Sequence, residues 1–227
     1  MKYPGKELEI FEKTIFFQKY TLILIKKFMS GSVFEVGAGL GSFTKHYHKL
    51  FKRVLLNDAD KSNLRILKNR YSHFNNIKII SSKIQNVKSQ FETIIYNNVL
   101  EHIGNDVLEI TNAMKKLKKN GHLIIFVPAH QNLFSKFDKA IGHHRRYDLN
   151  FFRAKHFKNY KIKKLVYVDS VGYLLYFLNK IFFSQQVYPS KFKVLLWDRI
   201  FCPISIILDF LTFYKLGKNI LCIYQKQ

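Results

Sequence analysis

The sequence is poor in cysteine, arginine and acidic residues, and no uninterrupted apolar run is long. Its 227 residues include two cysteines, Cys202 and Cys222, too few for a disulfide framework or a cysteine-based metal cluster. A reduced, cytoplasmic setting is the expectation. The longest clean apolar stretch, 200–208, is too short to span a bilayer. The apolar segment 15–28 is interrupted by Gln18, Lys19, Lys26 and Lys27, so it reads as a helix of the fold. Residues 1–12 are polar and lead into no apolar core with a small-residue cleavage site, so no secretory signal is expected. Internal repeats and low-complexity linkers are also missing.

Carboxylates are scarce: 15 Asp and Glu face 38 Lys and Arg, a net charge of +23. That balance suggests nucleic acid or an anionic membrane. Yet only seven of the 38 basic residues are arginine, the side chain suited to planar, bidentate phosphate contacts. A composition rich in Lys, Asn, Ile and Phe is what AT-rich coding produces. The charge therefore reads first as a solvated lysine surface, and nucleic acid is not the expected partner. Apolar side chains are plentiful, at 48%, and aromatics reach 16%, which excludes wholesale disorder.

Strand-like and helix-like segments alternate along the first two thirds. Residues 7–29 read as a helix that stops at Ser30-Gly31-Ser32. Short apolar runs at 33–36, 53–57, 77–80, 91–96 and 122–127 read as buried strands. Helices are expected at 42–50, 62–71 and 106–118, the last with Val107, Ile110, Met114 and Leu117 on one face. Beyond Pro128, a helix at 149–157 and strands at 161–169 and 221–225 frame an apolar, helical region at 170–216, broken by Pro189 and Pro203. This alternation implies a parallel sheet covered on both faces. Its ligand site lies at the carboxyl ends of the strands, which nominates the loops 37–42, 58–60, 81–84, 97–102 and 128–147.

Chemistry concentrates in those loops. Glu35-Val36-Gly37-Ala38-Gly39-Leu40-Gly41 offers a sharp glycine turn that lets a ligand approach the backbone. The spacing is not that of a dinucleotide fingerprint, and Glu35 beside the loop suits a cationic ligand better than a pyrophosphate. Asp58 follows the second strand, where a carboxylate can accept ribose hydroxyls. Asp60 is the alternative, with a helix N-cap as its plain structural reading.

These pieces resemble the class I S-adenosylmethionine-dependent methyltransferases. EVGAGLGSFT, LLNDAD, FETIIYNNVLEHI and LKKNGHLIIFVPA stand in that family's order over residues 33–129. The resemblance implies an α/β, Rossmann-like, seven-stranded and mostly parallel sheet with an antiparallel last strand, helices on both faces, and a helical insertion near the C-terminus. It implies one domain over 1–227: an N-terminal helix (1–30), a cofactor-binding core (31–130), and a substrate loop, helical cap and last two strands (131–227). It also implies S-adenosyl-L-methionine as cofactor. Gly37, Ala38, Gly39 and Gly41 would line its methionine part, with Glu35 near the amino group. Asp58 would bind the ribose, Ser82, Lys83 and Ile84 would flank the adenine, and Asn97 and Asn98 would lie under the sulfonium. Ser82 stands where many relatives carry an acidic residue, and Glu92 where they usually carry Asp.

Glu101-His102-Ile103 follows the fourth strand. His102 could orient substrate or cofactor, or make a structural loop bond. Two adjacent side chains are poor grounds for a metal site, and no metal is expected. The segment 137–147 is similar to the D-x-x-x-G-H-x-R-R-Y stretch of methyltransferases that often accompany cell-envelope polysaccharide genes. Here Arg145, Arg146 and Tyr147 would meet an anionic acceptor. His143, His144 or, further upstream, His130 would take its proton. The plain alternative is a loop tied down by an Asp–Arg pair.

The leading expectation is methyl transfer to a small-molecule or glycan acceptor, anionic or lipid-linked. One alternative is RNA, because EVGAGLGSFT is close to the opening of rRNA adenine dimethylases. Those enzymes follow the fourth strand with Asn-x-Pro-aromatic, however, and this chain has Asn97-Asn98-Val99-Leu100. Another alternative is a non-catalytic cofactor-binding module, although its glycine loop and Asp58 are intact. The basic, aromatic-rich stretch 170–216 is either a cap over the site or a surface resting on the cytoplasmic membrane face.

Overall fold

The computed structural model describes residues 4–5, 7–154, 160–182 and 187–227, with backbone only at 179–182. Seven strands form one sheet: β1 (Ser32–Val36), β2 (Arg53–Asn57), β3 (Ile77–Ile80), β4 (Phe91–Asn97), β5 (Leu117–Pro128), β6 (Tyr160–Val168) and β7 (Asn219–Lys226). Their order is β3-β2-β1-β4-β5-β7-β6. The first five pair in parallel, while β7 runs antiparallel to both β5 and β6. The order reverses between β1 and β4, so the crevice beyond their carboxyl ends is the natural ligand site of such a sheet.

Period-two alternation explains the two cores. Phe34, Ile94, Tyr96, Leu123 and Ile125 face one side. There they meet Ile110 and Met114 of α4 (Asp106–Lys115) and Phe152 of α6 (Leu149–Arg153). Val33, Ile95, Ile124 and Phe126 face the other side. They meet Tyr20 and Leu24 of α2 (Ile15–Ile25), Leu67 of α3 (Lys61–Tyr71) and Cys202 of α9 (Cys202–Leu211). Central strands buried on both faces read as continuous apolar runs, which is why they are legible in the sequence.

Several boundaries differ from the sequence expectation. The helix expected at 7–29 is two: α1 (Leu8–Phe11) and α2, separated at 12–14 and extended by a 3₁₀ turn at Lys26–Phe28. The Thr14 hydroxyl donates to the Phe11 carbonyl (2.6 Å) and makes no capping bond to α2, and Leu8 of α1 lies over Gly39. The helix expected at 42–50 is two 3₁₀ turns, Thr44–His46 and His48–Leu50. The helix expected at 149–157 ends at Arg153, and residues 155–157 lie outside the described residues. Pro203 does not break the C-terminal helices. It occupies the first turn of α9, where its missing N–H is harmless, directly after a π-helical turn at Trp197–Phe201.

The C-terminal helices α7 (Ser170–Phe182), α8 (Lys191–Leu196) and α9 are fastened by three buried aspartates. Asp198 accepts the Phe17 and Phe16 N–H groups (2.9 and 3.2 Å), satisfying the open N-terminus of α2. Asp209 accepts the Tyr20 hydroxyl (2.8 Å) and the Asp169 and Ser170 N–H groups (2.7 and 2.9 Å). Asp169 accepts from Ser205 Oγ (2.6 Å), Trp197 Nε1 (3.0 Å) and Lys218 Nζ (3.2 Å). The cap is thereby anchored to α2 and to the carboxyl edge of the sheet.

Candidate active site

A cavity of about 1040 Å³ opens beyond the carboxyl ends of β1, β4 and β5. Its floor is the glycine loop and Asn97–Asn98, its roof α1 and the C-terminal cap. Gly37, Gly39 and Gly41 all have left-handed φ, at 65°, 56° and 74°. They differ in what surrounds them. A Cβ on Gly37 would strike Val99 at 2.6 Å, and one on Gly41 would strike the Tyr71 ring. One on Gly39 would meet only Leu8 methyls, at 3.9 Å. Gly37 and Gly41 are packing glycines, and Gly39 leaves the cavity wall bare.

Glu35 lines the cavity from below, 2% exposed. Its Oε2 accepts the hydroxyls of Thr44 and Tyr47, both at 2.6 Å. Burial nonetheless pushes its carboxyl up to about 7, against the lowering effect of those two bonds. A buried, half-satisfied acid beside a bare glycine backbone fits a ligand that carries an ammonium group. The methionine end of S-adenosylmethionine meets that requirement.

Asp58 is tied to the glycine loop. Its Oδ2 accepts the Gly39 N–H and its Oδ1 the Asp60 N–H, both at 2.8 Å. It does not line the cavity. Its carboxylate braces the glycine loop. Asp60 is the N-cap of α3, accepting from Ser62 and Asn63. Ser82 and Lys83 lie outside the cavity wall, the Ser82 carbonyl receiving the Asn57 amide, and Ile84 is a core residue. Asn98 takes φ 54° and donates its N–H to the Phe126 carbonyl (2.8 Å). The β4 turn thus presents both asparagines to the cavity.

The 137–147 segment divides in two. Asp138, fully buried, anchors it: Arg146 Nε and Nη2 grip its two oxygens at 2.9 Å each. His143 Nδ1 stands 2.8 Å from Oδ1. The Ser135 hydroxyl completes a capping box at the start of α5 (Lys136–Ala140). Burial alone would raise the Asp138 carboxyl, but the His143 bond and the Arg146 charge outweigh it and hold it well below the usual range. His143 and Arg146 face the cavity.

The other expected residues do not. Arg145 pairs with Asp106 (2.8 Å). Tyr147 is buried, with its hydroxyl on the Leu100 carbonyl and on Asp106 (3.1 and 3.0 Å). Both border a separate hollow of about 600 Å³. His144 is exposed, its N–H donated to the Glu101 carbonyl. The His130 ring bonds the Gly217 carbonyl (2.9 Å) and stacks on Tyr167. Side chains in an irregular loop follow no period, so sequence could nominate this segment but not the face each residue takes.

Sequence reading expected a cap from 170–216 but named none of the roof's side chains as site residues, and nothing from the N-terminal helices. Leu8, Phe11, Phe17 and Gln18 close the cavity from the N-terminal side, and Tyr176, Tyr188 and Trp197 close it from the cap. Glu101 also lines it, fully buried, with burial pushing its carboxyl up to about 7. Next to it, burial and the neighbouring His143 lower the His102 ring to about 4.

Comparison with known proteins agrees with this geometry. Residues 34–123 match the methyltransferase-domain family. No curated protein matches the chain. Among solved structures, the N-methyltransferase NodS from Bradyrhizobium japonicum in complex with S-adenosyl-L-homocysteine is 13% identical, with a TM-score of 0.63 over 98% of this chain and 93% of that one. A methyltransferase from Haloferax volcanii, bound to its Trm112 activator, is 9% identical with a TM-score of 0.65 over 98% and 93%. YcgJ from Bacillus subtilis is 14% identical with a TM-score of 0.61 over 92% and 99%. Those likenesses establish the fold. The domain match over residues 34–123, the part of the chain that holds the glycine-loop cleft, supports an S-adenosylmethionine-dependent methyltransferase.

Proposed function

We propose that the protein methylates a small-molecule or glycan acceptor bound in the 1040 Å³ cavity, and that a lipid-linked acceptor reaches it from an anionic membrane surface. The observation that carries the first part is continuity: the glycine loop, Asn97–Asn98 and His143 line one cavity whose remaining wall is largely aromatic and aliphatic. S-adenosylmethionine supplies a methyl carbon already activated by its sulfonium, which bonds to the acceptor heteroatom as the carbon–sulfur pair stays on sulfur. The chain's own work is to hold, orient and exclude water. Glu35 and the Gly37–Gly41 backbone hold the cofactor's amino-acid end. Asn97 and Asn98 set the floor beneath the reacting centre. Of the three histidines considered as base, His143 is the one that lines the cavity, beside Glu101.

Support for the membrane surface comes from α9. Its buried positions are Cys202, Ser205 and Asp209, whereas Ile204, Ile207, Leu208 and Leu211 are exposed on one face. An apolar stripe turned outward over a polar inner face points to an apolar partner. Residues 151–227 hold 13 Lys and Arg and only three acidic residues. All three, Asp169, Asp198 and Asp209, are buried, so the side-chain charge that this region presents outward is positive.

Transfer of a radiolabelled methyl group into lipid and glycan extracts tests the reading. Label should appear in one fraction with wild-type protein, and His143→Ala should lower turnover at least about 100-fold while leaving cofactor affinity within about twofold. Equal turnover in the mutant would remove His143 from the reaction.

A further inference from the structure

Glu101 poses a problem that methyl transfer alone does not resolve. Its carboxylate is fully buried, and neither oxygen has a hydrogen-bond partner among the described residues. Such a group carries a desolvation penalty unless something compensates it. Facing it is His143 Nε2, 3.7 Å from Oε1, too far for a hydrogen bond. Asp138 occupies the opposite ring nitrogen, Nδ1, at 2.8 Å. Because a carboxylate only accepts, Nδ1–H donates to Asp138, which leaves Nε2 as the ring atom turned toward Glu101. Glu101 Oε1 and His143 Nε2 therefore face each other across a gap that no hydrogen bond closes.

The third side of the gap is His102. Its ring centroid is 4.6 Å from that of His143 at 76°. Donor atoms of Glu101, His102 and His143 all lie within 4.8 Å of one another. Adjacent residues rarely aim at a common point, and the tight 3₁₀ turn at Leu100–His102 is what brings Glu101 and His102 together here. The loop after α5 then supplies His143 from a distance in sequence.

We propose that Glu101, His102 and His143 bind one divalent first-row transition cation of the borderline, Zn²⁺-like kind. One carboxylate and two imidazoles are a donor set for such ions. The surroundings match a metal site beyond its ligands. Asp138 orients His143 through Nδ1–H, as carboxylates do behind zinc-bound histidines, and is itself held by Arg146, Ser135 and Tyr176. The nearby fixed charges, Glu101, Asp138 and Arg146, sum to one negative charge before any cation enters. All three ligands line the cavity, which leaves open positions toward the acceptor.

This inference rests on the methyltransferase reading for its purpose. An acceptor hydroxyl meeting the cation loses its proton to water more readily, while its oxygen keeps the electron pair. His143 then serves as ligand rather than as free base.

The test uses full-length protein stripped with a chelator and dialysed against Zn²⁺ or Co²⁺. About one equivalent should be retained, and Co²⁺ should give a visible absorption band typical of imidazole and carboxylate ligation. Glu101→Gln and, separately, His143→Gln should weaken retention more than about 100-fold, and Asp138→Asn about 10- to 100-fold. His130→Ala and His144→Ala should retain the ion. The melting temperature of each metal-free variant reports whether it folds, so a loss of binding in a folded variant is interpretable. No retention by wild-type protein overturns the proposal, as does retention that survives both ligand substitutions. Cofactor titration of the same samples keeps the two readings apart. Cofactor binding without metal uptake removes this site and leaves the methyltransferase, whereas metal uptake without cofactor binding does the reverse.

Discussion

Gly37 and Gly39 share a left-handed backbone but are glycine for different reasons. Alanine at Gly37 meets Val99 at 2.6 Å as well as an unfavourable φ, and should lower stability by about 1–3 kcal/mol in chemical denaturation. Alanine at Gly39 faces open cavity, so it should cost about 1–2 kcal/mol of backbone strain and weaken cofactor binding at least about tenfold. Glu35 adds a pH signature. Burial raises its carboxyl to about 7, so below that pH the empty protein carries a proton that an unfolded glutamate has lost by about pH 5. Its stability contribution therefore falls as pH rises between those values. A cofactor ammonium beside it would favour the ionised form. Cofactor binding near pH 6.5 should then release protons, seen as a dependence of the calorimetric heat on buffer ionisation enthalpy and lost in Glu35→Gln. At this scale the glycine loop and Glu35 were legible, because strand, turn and acid are contiguous in sequence. The partners of Asp58, Arg145 and Tyr147 were not, because each is decided by a segment distant in the chain or by the face that an irregular loop presents.

Among elements, the strands read cleanly and the covering helices less so. Buried parallel strands leave continuous apolar runs, whereas the break at 12–14 and the 3₁₀ turns at 44–50 arise from contacts with distant parts of the chain. The aspartates of the C-terminal third are the clearest case. In sequence they look like surface charge in an apolar stretch, and in the structure they fasten the cap. Asp209→Ala would leave the Tyr20 hydroxyl and two backbone N–H groups unpaired in the interior. A loss of about 3–5 kcal/mol is expected from the shift in denaturation midpoint. Phe210→Ser, on the exposed side of the same helix, should change stability by less than about 0.5 kcal/mol.

At the scale of the whole molecule, charge and apolar exposure fall on the same region. No helix among the described residues is long and apolar enough to cross a membrane, and the proposed membrane contact rests on the outward face of α9. Vesicles containing anionic lipid should retain the protein at low salt and release it as salt screens the lysines. Ile207→Asp together with Phe210→Asp should abolish retention while leaving cofactor affinity unchanged. A dimer in sedimentation with no vesicle binding would assign that face to a second copy instead. The net charge of +23 thus takes its meaning from where the carboxylates are hidden, which composition alone does not disclose.

The central claim is that the cleft between β1 and β4 binds S-adenosylmethionine through the glycine loop. Isothermal titration of the purified protein tests it most directly. We expect one site per chain, competition by S-adenosylhomocysteine, and loss of binding in Gly39→Val with the fold retained. No binding at about millimolar cofactor, or unchanged binding in the Gly39 variant, would contradict it.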